Sequence, residues 1–177
     1  MGRNASVMPV VRFQTFPKSF APPRGVLAAV EAFKAVEDQI DSTNFQYPSN
    51  DVLAIVRPHL VISGFEVEAG KTKDAKIRIP VLFGEGGKVD KAFEADAFHA
   101  ETGTVLEVEA GRAVTNYQFL KDLFQASVMQ DALHLVIAVR KIYRESNDYE
   151  KVVTFMDTFY ASGRLWLPLE TVTIVGY

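Results

Sequence analysis

Apolar residues recur along this chain at two spacings, one helical and one alternating. From Arg24 to Asp41, Val26, Val30, Phe33 and Ile40 fall on one face at helical spacing, which predicts a helix. Glu37 lies at the centre of that face, where a carboxylate is expensive unless it is paired or bound to metal. A polar connection, STNFQYPSND, leads to a second helix from Asp51 toward Ile62, with Ser49 or Asn50 as its cap, a kink or restart at Pro58 and a stop at Gly64 and Phe65. Thr115 to Gln130 reads as a third helix, with Thr115 and Gln118 in capping-box positions and Tyr117, Leu120, Phe124 and Val128 as its apolar stripe. Asn147 to Ala161 is a fourth, capped by Asn147 and Glu150 and turning Tyr149, Val152, Val153, Met156 and Phe159 inward.

Between the helices the pattern shortens to that of strands. Phe65 to Ala69 is extended, and Lys76 to Phe83 is strand-like with Pro80 implying an edge or a bulge. The run Leu133 to Val139, LHLVIAV, suits a strand buried on both faces, with His134 as a core or edge histidine. Leu169 to Val175 alternates threonine with aliphatic residues and predicts a final strand. Residues 1–23 carry Pro9, Pro17, Pro22 and Pro23 around an apolar patch at Val10, Val11, Phe13 and Phe16, as expected of an arm with one short strand. Gly84 to Lys88, GEGGK, lacks the Ser or Thr and the following helix of a phosphate-binding loop, and reads as a hairpin turn.

The stretch from Phe93 to Arg112, FEADAFHAETGTVLEVEAGR, carries the chemistry. Two short strand patterns flank a turn at Glu101, Thr102 and Gly103, with Glu94 and Asp96 before it and Glu107 and Glu109 after it. Side chains two apart on a strand share a face, so the acids point one way while Ala95, Ala97, Leu106 and Val108 point the other. A loop of Thr102 and Gly103, or one from Glu101 to Thr104, places Asp96 opposite Glu109 with Glu107 diagonal to it. Like charges so placed repel and raise one another's pKa, a cost that a divalent cation removes. Mg²⁺ prefers a few carboxylates with waters and phosphate oxygens, the chemistry of phosphodiester cleavage. The bland alternative is a two-faced hairpin with a solvated acidic side. Lys121 falls one turn after Tyr117, where it either snorkels to the surface or reaches the carboxylates.

Composition narrows the classes open to the chain. Its 177 residues allow an arm over 1–23 and a single α/β domain over 24–177, with 48% hydrophobic and 23% charged residues. The absence of cysteine excludes disulfides, thiolate metal sites and cysteine nucleophiles. No leader pattern and no apolar run approaching about 20 residues is present, so the expectation is a cytoplasmic protein without a membrane partner. A net charge of -3 gives no global attraction to nucleic acid, leaving local lysines such as Lys88 and Lys91 and bridging cations to hold phosphate.

Helix, three-strand meander, helix and strand, over about residues 24–140, resembles the common core of the restriction-endonuclease-like nucleases, the PD-(D/E)xK superfamily. The resemblance implies a three-layer α/β/α fold around a central mixed sheet. It makes Asp96 the acid of the second core strand, Glu107 the first residue of the acid-x-lysine triplet, and Glu37 the helix acid, with Glu37, Asp96 and Glu107 holding Mg²⁺ or Mn²⁺. Ala95 stands where the family often has proline, and Glu109 where it has lysine; the E-V-E triplet is similar to the variant in which a second glutamate replaces that lysine. Glu109 then orients water or holds a second ion, or Lys121 supplies the ammonium from the next helix. The implied activity is metal-dependent endonuclease hydrolysis of DNA, with a homodimer if the target is palindromic. The alternatives are a catalytically inactive nuclease fold that binds DNA or protein, and a metal-dependent hydrolase of small nucleotides.

Overall fold

The apolar run near position 135 becomes the strand on which the other elements are layered. The computed structural model describes residues 10–70 and 72–177. In it His134–Val139 forms a strand with every residue buried, flanked in parallel by Thr104–Glu109 on one side and Thr171–Gly176 on the other. Parallel neighbours require crossover connections, and the helices Gln118–Val128 and Asp148–Ser162 supply them. Because helices then cover both faces, no side of this strand needs polar residues.

In chain order the strands are β1 (Arg12–Phe16), β2 (Glu66–Val67), β3 (Ile77–Phe83), β4 (Val89–Ala95), β5 (Ala97–His99), β6 (Thr104–Glu109), β7 (His134–Val139) and β8 (Thr171–Gly176). The helices are α1 (Arg24–Lys34), α2 (Glu37–Ile40), α3 (Ser49–Ile62), α4 (Gln118–Val128) and α5 (Asp148–Ser162). Six strands form one mixed sheet in the order β1-β8-β7-β6-β5-β2, while β3 and β4 pair as a separate two-stranded hairpin. On one face Val26, Val30 and Phe33 of α1 and Val52, Val56 and Leu60 of α3 pack on Leu106, Val108, Val136, Ala138 and Val175. On the other, Phe119 and Leu123 of α4 and Val152 and Met156 of α5 pack on Val105, Leu135, Ile137, Val172 and Ile174. The fold is therefore α/β, with a mixed central sheet between helices on both faces. No helix among the described residues is long and apolar enough to cross a membrane.

Several elements depart from the sequence pattern. The helix read from Arg24 to Asp41 stops at Lys34, because Val36 leaves the helical region (φ -128°, ψ 19°), and a separate turn, α2, follows. The break lets both Val36 and Ile40 reach the core. Pro58 lies inside α3, which runs on to Ile62, and no side chain caps that helix. α4 begins only at Gln118, after Tyr117 in a left-handed conformation, and the capping box of Thr115 and Gln118 does not form. Its buried face is Phe119, Asp122, Leu123 and Ala126, whereas Tyr117 and Phe124, read as core, are each 63% exposed. α5 follows expectation, with Asn147 Oδ1 accepting the Glu150 N–H at 3.2 Å.

The N-terminal arm is tied down where it is described. β1 pairs antiparallel with β8, Arg12 opposite Gly176, and is an edge strand of the main sheet. Residues 1–9 of the arm lie outside the described residues. Glycines 86 and 87 take positive φ in the turn between β3 and β4, as expected of GEGGK acting as a hairpin turn. β4 and β5 are separated only by Asp96, so the chain leaves one sheet and enters the other at that residue.

Candidate active site

The turn between β5 and β6 sets the level at which the acids meet. The pairs are Ala97 with Leu106, Phe98 with Val105 and His99 with Thr104, leaving residues 100–103 as the loop. Gly103 takes φ +62°, and its carbonyl receives the N–H groups of both Leu133 and His134, at 2.8 and 3.0 Å. This anchoring corrects the expected register by two residues: Asp96 comes level with Glu107 rather than Glu109. An even shift preserves which face each side chain takes. Leu106 and Val108 enter the α1 and α3 core, so Glu107 and Glu109 turn to the face covered by α4.

There the residues line an open cleft of about 400 Å³. Asp96, Glu107 and Glu109 stand on the sheet side, Asp122 and Lys121 on α4, and Lys76 at the foot of β3. Asp96 Oδ2 accepts the Val108 N–H at 2.7 Å, which fastens the strand to β6 one step beyond the last ladder pair. Burial pushes the Asp96 carboxyl up to about 6 against the pull of that N–H, and the charges of Glu68 and Asp122 add to the rise. Burial also pushes Glu107 well above the carboxylate range, reinforced by Asp96, Asp122 and Glu109 and opposed by Lys121.

Glu109 and Asp122 behave as a pair. Burial, then the charge of Asp122 and a hydrogen bond with it, push Glu109 up to about 8. Burial raises Asp122 to about 6, held back by the Glu109 hydrogen bond, by Lys121 and by Gln118. The two carboxyls thus titrate as a pair, each raised by burial and Glu109 raised further by the charge of Asp122. Asp122 Oδ2 has no hydrogen-bond partner among the described residues.

The two lysines differ in freedom. Lys76 Nζ lies 2.6 Å from Glu68 Oε1 and 3.8 Å from Glu94 Oε2, and the Glu68 hydrogen bond raises its pKa despite its burial. Lys121 is exposed at the rim, and its charge opposes the rise in Glu107, Glu109 and Asp122.

Asp96, Glu107, Glu109 and Lys121, the residues singled out from the sequence as catalytic, thus line one cleft. Glu94 is at its exposed margin. Glu37 is elsewhere: its Oε2 accepts the Val11 N–H at 3.2 Å, because the break after Lys34 turns the carboxylate toward the chain entering β1. Sequence reasoning missed Glu68, Lys76 and above all Asp122. The signal for Asp122 was present, since Phe119, Leu123 and Ala126 form a helical stripe with the aspartate inside it.

Among the described residues, no group of three His, Asp or Glu side chains stands in the geometry of a metal site. The donor chemistry of the cleft nevertheless fits a hard cation: its ligating groups are oxygens, and one buried carboxylate oxygen lacks a donor. Comparison of the chain with known protein families, with curated proteins and with solved structures found no match.

Proposed function

We propose that the protein is a Mg²⁺- or Mn²⁺-dependent phosphodiesterase of the restriction-endonuclease-like type, hydrolysing DNA. The observation that carries this reading is the meeting of Asp96, Glu107, Glu109 and Asp122 in one cleft with their carboxyls raised. A crowd of buried acids is unfavourable without a cation, and perturbed carboxyls in a cleft mark functional sites. The strands β5, β6 and β7, antiparallel then parallel with α4 between the last two, support the same reading, whereas the strand read at Lys76 to Phe83 as the start of the meander lies outside the main sheet, paired with β4.

In this reading Asp96 and Glu107 hold the cation, and Glu37 has no part. The cation would supply a Lewis acid for the scissile phosphate and a more acidic water. Glu109, raised to about 8, would release its proton as a cation binds, and would then take the proton of the water that attacks phosphorus as the bond to the leaving oxygen breaks. Lys121, exposed at the rim, would supply an ammonium to the incoming phosphate from α4, since Glu109 stands at the position of the family's lysine. A cytoplasmic location, and a homodimer on a palindromic target, belong to the same proposal.

Incubation of the purified protein with plasmid and Mg²⁺ or Mn²⁺ tests it. Metal-dependent cleavage, abolished in Asp96→Ala and Glu107→Ala, is expected; cleavage indifferent to both substitutions would overturn the assignment. A second reading, a nuclease fold that binds DNA or protein without catalysis, is favoured by Glu109 standing in the lysine position and by the net charge of -3. It predicts neither cleavage nor a rise in melting temperature with Mn²⁺.

A further inference from the structure

The chain's single tryptophan, Trp166, lies in the connection from α5 to β8 and is 89% exposed. With Phe20, 54% exposed shortly after β1, and with Phe159 and Tyr160 of α5, it lines a recess of about 340 Å³. The walls are fixed by the fold. Phe16, in the core, stacks on Tyr160 at 5.8 Å, and Phe159 meets Tyr160 edge to face at 5.1 Å. The Phe20 N–H donates to the Pro17 carbonyl at 3.0 Å, and the Glu170 N–H to the Leu133 carbonyl at 2.7 Å. The recess shares no lining residue with the acidic cleft. It stands where β8 begins, whereas Glu107 and Glu109 lie toward the other end of the parallel strands.

Four aromatic side chains and one carboxylate define what fits. Glu170 is the one charged residue lining the recess, and its side chain is 62% exposed. Among the described residues, the only basic group within 4.0 Å of that carboxylate is His134. Burial holds His134 below its ordinary value of 6.5, so at pH 8 it is neutral and leaves the carboxylate uncompensated. Lys18, the ammonium that follows β1, is taken by Asp157 at 2.6 Å. Aromatic faces carry negative potential and attract cations, tryptophan most strongly. The volume is that of a site for one small molecule.

We propose that this recess binds a small organic cation, a quaternary ammonium carrying an apolar or aromatic body, with the charge against the aromatic faces and Glu170 as its counter-charge. A quaternary ammonium has no N–H that a recess poor in acceptors would leave unpaired. The site is independent of the phosphodiesterase reading.

Benzyltrimethylammonium chloride, titrated into the intact protein at pH 8 and constant ionic strength, is the probe, read by calorimetry and by the fluorescence of Trp166. Saturable binding with a Kd of about 1 mM or below is expected, with a saturable change in fluorescence. Glu170→Gln should weaken binding about 3–30-fold, and Trp166→Ala, read by calorimetry, by a similar factor. Both side chains are exposed, so the melting temperature without probe should be unchanged and serves as the control for folding. Benzyl alcohol, which keeps the ring and lacks the charge, should not compete at equal concentration. The absence of saturable binding, binding that both substitutions leave unchanged, or equal competition by benzyl alcohol would each overturn the site. So would a dimer in sedimentation velocity that Trp166→Ala dissolves while the probe does not bind, since the recess would then belong to a second copy. Binding to phosphatidylcholine vesicles without binding of the free probe would likewise overturn it, in favour of a membrane surface.

Discussion

Replacing Asp96 by asparagine should stabilise the metal-free protein while abolishing its activity. Asparagine keeps an oxygen able to accept the Val108 N–H that Asp96 accepts at 2.7 Å, and it removes the charge. The carboxyl is raised from 3.8 to about 6, so the folded state holds its proton more tightly than the unfolded chain does. The contribution of such a group is fully present below its unfolded pKa and is lost as pH rises through the folded one. A rise of this size corresponds to about 3 kcal/mol at pH 8, of which about 2 kcal/mol accrues between pH 4.5 and pH 8. Urea denaturation in EDTA at those two pH values is the assay. The variant should exceed the wild type by up to about 3 kcal/mol at pH 8 and by only about 1 kcal/mol at pH 4.5. Equal stability at pH 8, or the same gain at both pH values, would refute the argument that burial and neighbouring acids charge a cost at this position. Saturating Mn²⁺ should narrow the difference, since an ion that binds only the folded wild type restores what the charge costs.

Lys76→Met leaves Glu68, whose side chain is 11% exposed, without the ammonium at 2.6 Å, and should cost about 2–4 kcal/mol in a urea titration at neutral pH. Gly103→Ala forces φ +62° on a side-chain-bearing residue and puts its Cβ 2.4 Å from the Asp131 carbonyl oxygen, so a loss of at least about 1–3 kcal/mol is expected from the same measurement. Phe119→Ala should cost about 3–5 kcal/mol because the ring is 3% exposed. Phe124→Ala, on a ring 63% exposed, should stay within about 0.5 kcal/mol, and a reversed order would mean that α4 presents its other face.

The elements most legible in the sequence are those in which one signal acted alone. LHLVIAV has no polar alternation to confuse it, and β7 is buried at every position. Asn147 with Glu150 gave the start of α5 because the cap is a local bond between neighbours. The acidic face of the β5–β6 pairing was readable from parity, but its level was not. The two-residue slip is set by contacts of Gly103 with Leu133 and His134, about 30 positions away, which no local turn rule contains.

Where two apolar stripes competed on one helix, the pattern failed. In α4 both the Tyr117–Phe124 side and the Phe119–Leu123 side carry large residues, and tertiary packing chose the second. With the Tyr117–Phe124 side taken as the apolar stripe, Asp122 on the buried face was not singled out as a carboxylate of the cleft. Glu37 failed for the opposite reason: the argument from an apolar face assumed one continuous helix, and the break at Val36 removed its premise. The acids on the strands were found because side-chain direction alternates with every residue and is hard to misread.

The pairing of β1 with β8 bears on how the chain is made. Arg12 and Gly176 are ladder partners, as are Phe16 and Val172, so the first strand of the sheet has no neighbour until nearly all of the described sequence has been synthesised. Until then Phe13 and Phe16 must wait exposed or be shielded by other factors. This pairing joins distant parts of the described sequence, and non-local pairings of this kind slow folding and prolong exposure to aggregation.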